Sequence, residues 1–120
     1  MSEERFSLVV MTVRRRPGRT EVALAGELDL SDAEAVDRAL ERLQRESPGL
    51  RLDLRALEFI DSSGARVLWS AHERAQEAGG DFLEVVVGPG AVRRVLTIVG
   101  FDEHLHIVEA GPPDAGAGPG

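Results

Sequence analysis

Two hydrophobic periods meet in the middle of the chain. Residues 50–54 read Leu-Arg-Leu-Asp-Leu. That period of two predicts a short strand with one buried face. From Gly64 onward the period lengthens. Gly64, Leu68, Ala71, Ala75 and Ala78 recur at helical spacing, predicting a helix over 62–78 that Gly79-Gly80 ends. Its stripe is made mostly of small residues, so the helix should lie close to a sheet. Between the two periods, Leu57, Phe59 and Ile60 read as the apolar anchors of a turn. They lead into Asp61-Ser62-Ser63-Gly64.

The flanking segments follow the same logic. Residues 6–13 and 20–28 are rich in branched side chains and stand either side of Pro17-Gly18. They predict an antiparallel hairpin, with Val22, Leu24 and Leu28 on one face. Ser31 and Glu34 have the spacing of a capping box. They open a predicted helix over 32–46 with the stripe Ala33, Val36, Leu40 and Leu43. Glu34–Arg38 and Glu41–Arg45 are supporting i,i+4 pairs, and Ser47-Pro48-Gly49 is the stop. Residues 82–87 are almost wholly apolar and read as a buried strand. Gly88-Pro89-Gly90 places a proline near the first turn of a third helix. Val92, Val95, Leu96 and Val99 would face its core, with Arg93 and Arg94 solvated and Gly100 ending it. Residues 104–108 form a weaker last strand. Residues 110–120, Ala-Gly-Pro-Pro-Asp-Ala-Gly-Ala-Gly-Pro-Gly, cannot bury a core and read as a disordered tail.

The predicted order is β-β-α-β-α-β-α-β. Helices alternating with strands call for parallel crossovers. The expected fold is a single α/β domain over residues 1–109, with a mixed β-sheet that begins in an antiparallel hairpin.

Composition narrows the chemistry. The net charge of −7 argues against direct nucleic-acid binding, which needs a basic patch. Arg14, Arg15, Arg16 and Arg19 cluster at the hairpin turn and read as solvated charge. Without cysteine, disulfides, thiol catalysis and cysteine zinc sites are excluded. The start, Met1-Ser2-Glu3-Glu4-Arg5, lacks the basic-then-apolar layout of a signal peptide. No apolar run reaches membrane-spanning length. The expected setting is the cytoplasm, with no membrane contact.

Catalytic signals are poor. A serine nucleophile needs a positioned base, and His72 lies more than two helical turns beyond the serines. There is no G-x-S-x-G elbow, no P-loop and no G-x-G-x-x-G. Gly88-Pro89-Gly90 has no lysine after it. Asp102-Glu103-His104-Leu105-His106 holds metal-ligating residue types but reads as exposed charge at a strand entrance. No catalytic, metal or cofactor residue is expected. Trp69, at the margin of its stripe, reads either as half-buried packing or as an interface anchor. What remains is Asp61-Ser62-Ser63-Gly64. On spacing alone it is either an ordinary helix cap or a place where an anion, including a phosphate on serine, meets the positive end of a helix.

The assembled pieces resemble a known family. They are Gly26-Glu27-Leu28-Asp29, then Leu52-Asp53-Leu54 leading through Phe59-Ile60 to Asp61-Ser62-Ser63-Gly64. After them come Ala78-Gly79-Gly80, Val86-Val87-Gly88-Pro89, Val92-Arg93-Arg94-Val95-Leu96 and Val99-Gly100-Phe101. Over residues 5–108 the chain resembles bacterial anti-sigma factor antagonists of the STAS domain family. The resemblance implies a STAS-like fold and phosphorylation at Ser62 by a partner that is both anti-sigma factor and serine kinase. Ser63 is the alternative acceptor and otherwise a cap. It further implies that the unmodified protein binds the anti-sigma factor and frees a sigma factor. The phosphorylated protein would let go, and a PP2C-type phosphatase would reset it. The expected binding surface centres on Asp29, Asp61, Ser62, Ser63 and Gly64. Ala65 stands where many members carry Leu or Ile. The same fold also serves as a scaffold subunit of stressosome-like or lipid-transport assemblies, which need not cycle phosphate.

Overall fold

Among the described residues, six strands lie side by side in chain order. They are β1 (Ser2–Arg5), β2 (Val9–Arg16), β3 (Arg19–Leu28), β4 (Gly49–Ile60), β5 (Phe82–Val87) and β6 (Ile107–Glu109). The computed structural model describes residues 1–47, 49–79 and 82–111. Pro48, Gly80, Asp81 and the tail from 112 onward lie outside the described residues. The first three strands pair antiparallel and the remaining pairings are parallel. Three helices make the crossovers: α1 (Leu30–Glu46), α2 (Ser62–Glu77) and α3 (Ala91–Ile98). This is the expected mixed α/β sheet with an antiparallel start.

Right-handed crossovers between strands taken in order put all three helices on one face. The buried residues agree. Met11 pairs with Leu24, and two residues earlier on the same face of β3 Val22 pairs with Leu52, which pairs with Val85. Val36, Leu40, Leu68, Ala71, Val92 and Leu96 cover them from the helices. The other face carries half-exposed Val10, Thr12, Ala23 and Ala25. It also carries the ion pairs Arg51–Glu84 and Arg55–Asp53.

The Asp53–Arg55 pair sets a pH expectation. Burial, the largest influence, works to raise the Asp53 pKa. The Arg55 guanidinium and backbone N–H bonded to the carboxylate, with the charges of Arg55 and Arg51, outweigh it and hold the pKa below its usual 3.8. A depressed carboxylate stabilises the fold above the unfolded pKa and loses that contribution as pH falls through the native value. Urea melts of the parent and of Asp53→Asn should therefore differ by a constant amount above about pH 5 and converge in more acid solution. A gap independent of pH would contradict this.

Several boundaries differ from the sequence expectation, each for a physical reason. The hairpin strands run right up to Pro17-Gly18, because Gly18 at φ 77 makes the turn tight enough for Arg16 to pair with Arg19. Arg15, Arg16 and Arg19 are thus strand residues, held by Glu46 and Glu21. β1 went unforeseen because all four of its residues are exposed, leaving no alternation to read. β4 is one strand of 12 residues, not a strand and a turn. Its register against β3 slips at Ala23/Ala25 and Gly26/Glu27. These irregularities shift the buried positions to Leu57 and Ile60 and break the period of two. The last strand starts at Ile107, after a 3-10 turn over Phe101–Glu103. Pro89 precedes the α3 cap Gly90 and so lies outside the helix. Val99, beyond the end of α3, is 42% exposed and does not pack in the core.

The start of α1 also differs. Its cap is Asp29, whose Oδ1 accepts from Ser31 N–H at 2.9 Å. The Ser31–Glu34 capping box does not form, and Glu34 pairs with Arg38. Asp32 does something the sequence did not suggest. Its carboxylate is only 3% exposed and accepts three backbone N–H groups, from Ser7 (3.0 Å), Leu8 (2.6 Å) and Val9 (3.1 Å). The link between β1 and β2 is thereby clamped over the end of β3. There Gly26, at φ 105, leaves room for the Leu8 carbonyl, which a Cβ would meet at 2.1 Å.

Candidate functional site

β3 and β4 end side by side, with Leu28 paired to Ile60. The next residue in each strand is an aspartate, and each aspartate caps the helix that follows. Asp29 and Asp61 therefore stand together at one edge of the sheet, as parallel crossovers require. Asp61 is held at three points. Its N–H donates to the Leu28 carbonyl at 3.3 Å, its carbonyl accepts from Ala65 N–H at 2.9 Å, and its Oδ1 accepts from Gly64 N–H at 2.9 Å. The cap of α2 is thus Asp61, and the expected capping role of Ser63 is corrected. An aspartate leaving an extended strand already has the backbone an N-cap needs, so it takes the position before the serines can.

That assignment leaves both hydroxyls unused. Neither the Ser62 nor the Ser63 hydroxyl makes a hydrogen bond among the described residues. Ser62, the first residue of α2, is exposed, and Ser63 is half-buried. Gly64 explains how the helix seats so low. A Cβ there would meet the Leu28 carbonyl oxygen at 2.4 Å and Ile60 Cγ1 at 2.6 Å. The expected close approach of α2 is made at its first turn, directly behind the serines.

Two grooves flank this turn. One, of about 340 Å³, runs between α1 and α2, with Leu30, Glu34 and Asp37 facing Ser62, Ser63 and Arg66. The other, of about 500 Å³, lies between α2 and the chain after α3, where Trp69, Val99 and Phe101 form its apolar wall. Ser62, Arg66 and Ser70 line both. They form a ridge at i, i+4 and i+8. Behind the first groove, Arg74 bonds Asp37 at 3.0 Å and Gln44 at 2.9 Å, tying α1 to α2.

Trp69 satisfies the packing reading and also shapes the groove. Its ring stacks on Phe101 at 5.0 Å, with His72 at 5.2 Å and His104 edge-on at 5.6 Å. His72 and His104 thus gather on an aromatic ring, and no histidine bonds either serine. Asp102, Glu103, His104 and His106 are exposed, and no metal-holding group of three or more His, Asp or Glu occurs among the described residues. No described helix is long and apolar enough to cross a membrane.

The structure joins Asp29 to Asp61, Ser62, Ser63 and Gly64 in one place. It adds Leu30, 76% exposed, along with Arg66, Val99 and Phe101. Arg66 was findable from its spacing of four from Ser62. Leu30 and Phe101 were not, since they reach the site only through tertiary packing.

Comparison with known proteins fits this geometry. The family described as "Mlab, STAS domain" matches residues 11–109. The chain belongs to the STAS domain family. It is 31% identical over 101 residues to the anti-sigma-F factor antagonist RsfB of Mycobacterium tuberculosis, covering 82% of this chain and 80% of that protein. A solved anti-sigma factor antagonist from Mycobacterium paratuberculosis superposes on this STAS domain with a TM-score of 0.75 at 27% identity, covering 82% of this chain and 84% of the other. The unphosphorylated form of the anti-sigma factor antagonist SpoIIAA gives 0.69 at 19% identity over 83% and 87%, a likeness of fold.

Proposed function

We propose that this STAS domain is an anti-sigma factor antagonist switched at Ser62. Unmodified, it binds an anti-sigma factor that is also a serine kinase, and a sigma factor is released. In the complex the Ser62 oxygen takes the γ-phosphoryl group of ATP held by the kinase. ADP leaves and the hydroxyl proton passes to the kinase. The phosphorylated domain dissociates, and a PP2C-type phosphatase hydrolyses the ester. The role is that of a cytoplasmic regulator, without catalysis, cofactor or DNA contact of its own.

The observation that carries this reading is the uncommitted, exposed Ser62 hydroxyl on a helix start that Asp61 holds independently. Modification there need not disturb the fold. Ser63 is half-buried, which favours Ser62 as acceptor. The adjoining caps support a partner surface over Asp29, Asp61, Ser62, Ser63 and Gly64. A phosphate adds about −1.5 to −2 charge. In a packed interface it must be desolvated beside Asp61, and a cost of about 3 kcal/mol would weaken binding more than a hundredfold.

Calorimetry and melting test the switch. Ser62→Asp should bind the anti-sigma factor about a hundredfold more weakly and melt close to the parent, since Ser62 is not the cap. Ser62→Ala should bind like the parent and accept no phosphate. Parent-like affinity in Ser62→Asp, or phosphate confined to Ser63, would overturn the assignment. A STAS scaffold subunit would remain unmodified after incubation with every serine kinase of its own genome.

A further inference from the structure

We infer that Arg66 is the internal counter-ion of a phosphate carried on Ser62. The inference rests on Ser62 being the phosphoacceptor.

Arg66 follows Ser62 by four residues on α2. Side chains at that spacing are neighbours on one helix face, about 5–6 Å apart at Cβ. Both residues line both grooves beside the α2 start. The charge state of the surroundings sharpens the point. Among the described residues, every arginine except Arg14, Arg66 and Arg94 holds an Asp or Glu carboxylate. Arg14 touches the Met1 sulfur at the far end of the hairpin, and Arg94 lies on α3. The carboxylates across the groove are already engaged, Glu34 by Arg38 and Asp37 by Arg74. Arg66 is thus an exposed cation without an ion pair, one turn from the hydroxyl that would receive the phosphate.

A guanidinium fork suits phosphate oxygens and can take two at once. Once the phosphate is formed, Arg66 would fold back on it along the helix. The phosphorylated domain then holds its new charge within itself, and the groove loses its free cation in the same event. An anti-sigma factor with an acidic group facing Arg66 would meet both changes together.

The test installs phosphoserine at position 62 of the full chain by genetic encoding, so that no kinase is needed, and titrates it by phosphorus NMR. The second phosphate pKa of the parent should lie at least about 0.5 unit below that of Arg66→Gln, because a nearby cation favours the dianion. Arg66→Lys should fall between them, keeping the charge and losing the fork. Arg94→Gln, a control at an arginine that lines neither groove, should match the parent. The helix start acts on all four alike and cancels. Superimposable titrations of the parent and Arg66→Gln would overturn the inference, as would an equal shift in Arg94→Gln. A kinase that leaves Ser62 unmodified would refute the proposed function instead, and the titration would still read Arg66 alone.

Discussion

Alanine at position 32 should destabilise the domain by about 3–5 kcal/mol, measured by urea denaturation at neutral pH. The Asp32 carboxylate is almost fully buried and is the acceptor for the N–H groups of Ser7, Leu8 and Val9. Its removal leaves three donors without a partner. Each such loss costs about 1–3 kcal/mol when buried. The side chain of Leu8 is itself exposed, so water can reach part of the gap, and the total falls below three full penalties. Asp32→Asn keeps one accepting oxygen but turns an NH₂ group toward a backbone N–H. It should therefore lose less than Asp32→Ala and more than a surface change. A loss below about 1 kcal/mol in Asp32→Ala would show that the clamp contributes little. The effect should extend to the site, because the clamped segment lies over the end of β3, where Gly26 admits it and Asp29 follows.

Gly64→Ala should cost about 3 kcal/mol by overpacking and should also abolish phosphorylation at the neighbouring serine. The added methyl carbon would sit 2.4 Å from the Leu28 carbonyl oxygen and 2.6 Å from Ile60 Cγ1. One of those atoms is backbone in the sheet and cannot swing aside. The start of α2 must lift instead, carrying Ser62 and loosening the Asp61–Gly64 hydrogen bond. An exposed glycine replaced by alanine in a helix would normally gain stability, so the sign of the change separates the two cases. A parent-like melt would show that the close approach is not a constraint. Ser62→Ala is the contrast, with the phosphate lost and the stability kept.

Much of the site was legible because its residues are local in sequence. A strand that ends in aspartate and turns straight into a helix can be read from a few adjacent residues. Asp61-Ser62-Ser63-Gly64 carried that signal, and Gly26-Glu27-Leu28-Asp29 carried its parallel. The division of labour within the motif was not legible. Asp61 and Ser63 are both capping residue types, and the extended backbone at Asp61, φ −107 and ψ −171, decided between them. The same held at α1, where Asp29 displaced the Ser31–Glu34 box.

By itself, the sequence determined the class of fold, the order of most elements, the apolar faces of α1 and α2 and the place where chemistry could occur. Each of these depends on residues within one or two turns of each other, or alternating along one strand. Only the tertiary structure decided that Asp32 is a buried clamp, since its partners lie 23 to 25 residues away. It alone made β4 one strand, because the register slips against β3 hide the alternation. It also brought Leu30 and Phe101 around Ser62. Neither belongs to α2, and only the parallel ends of β3 and β4, with α2 pressed onto them through Gly64, set their distances from the serine.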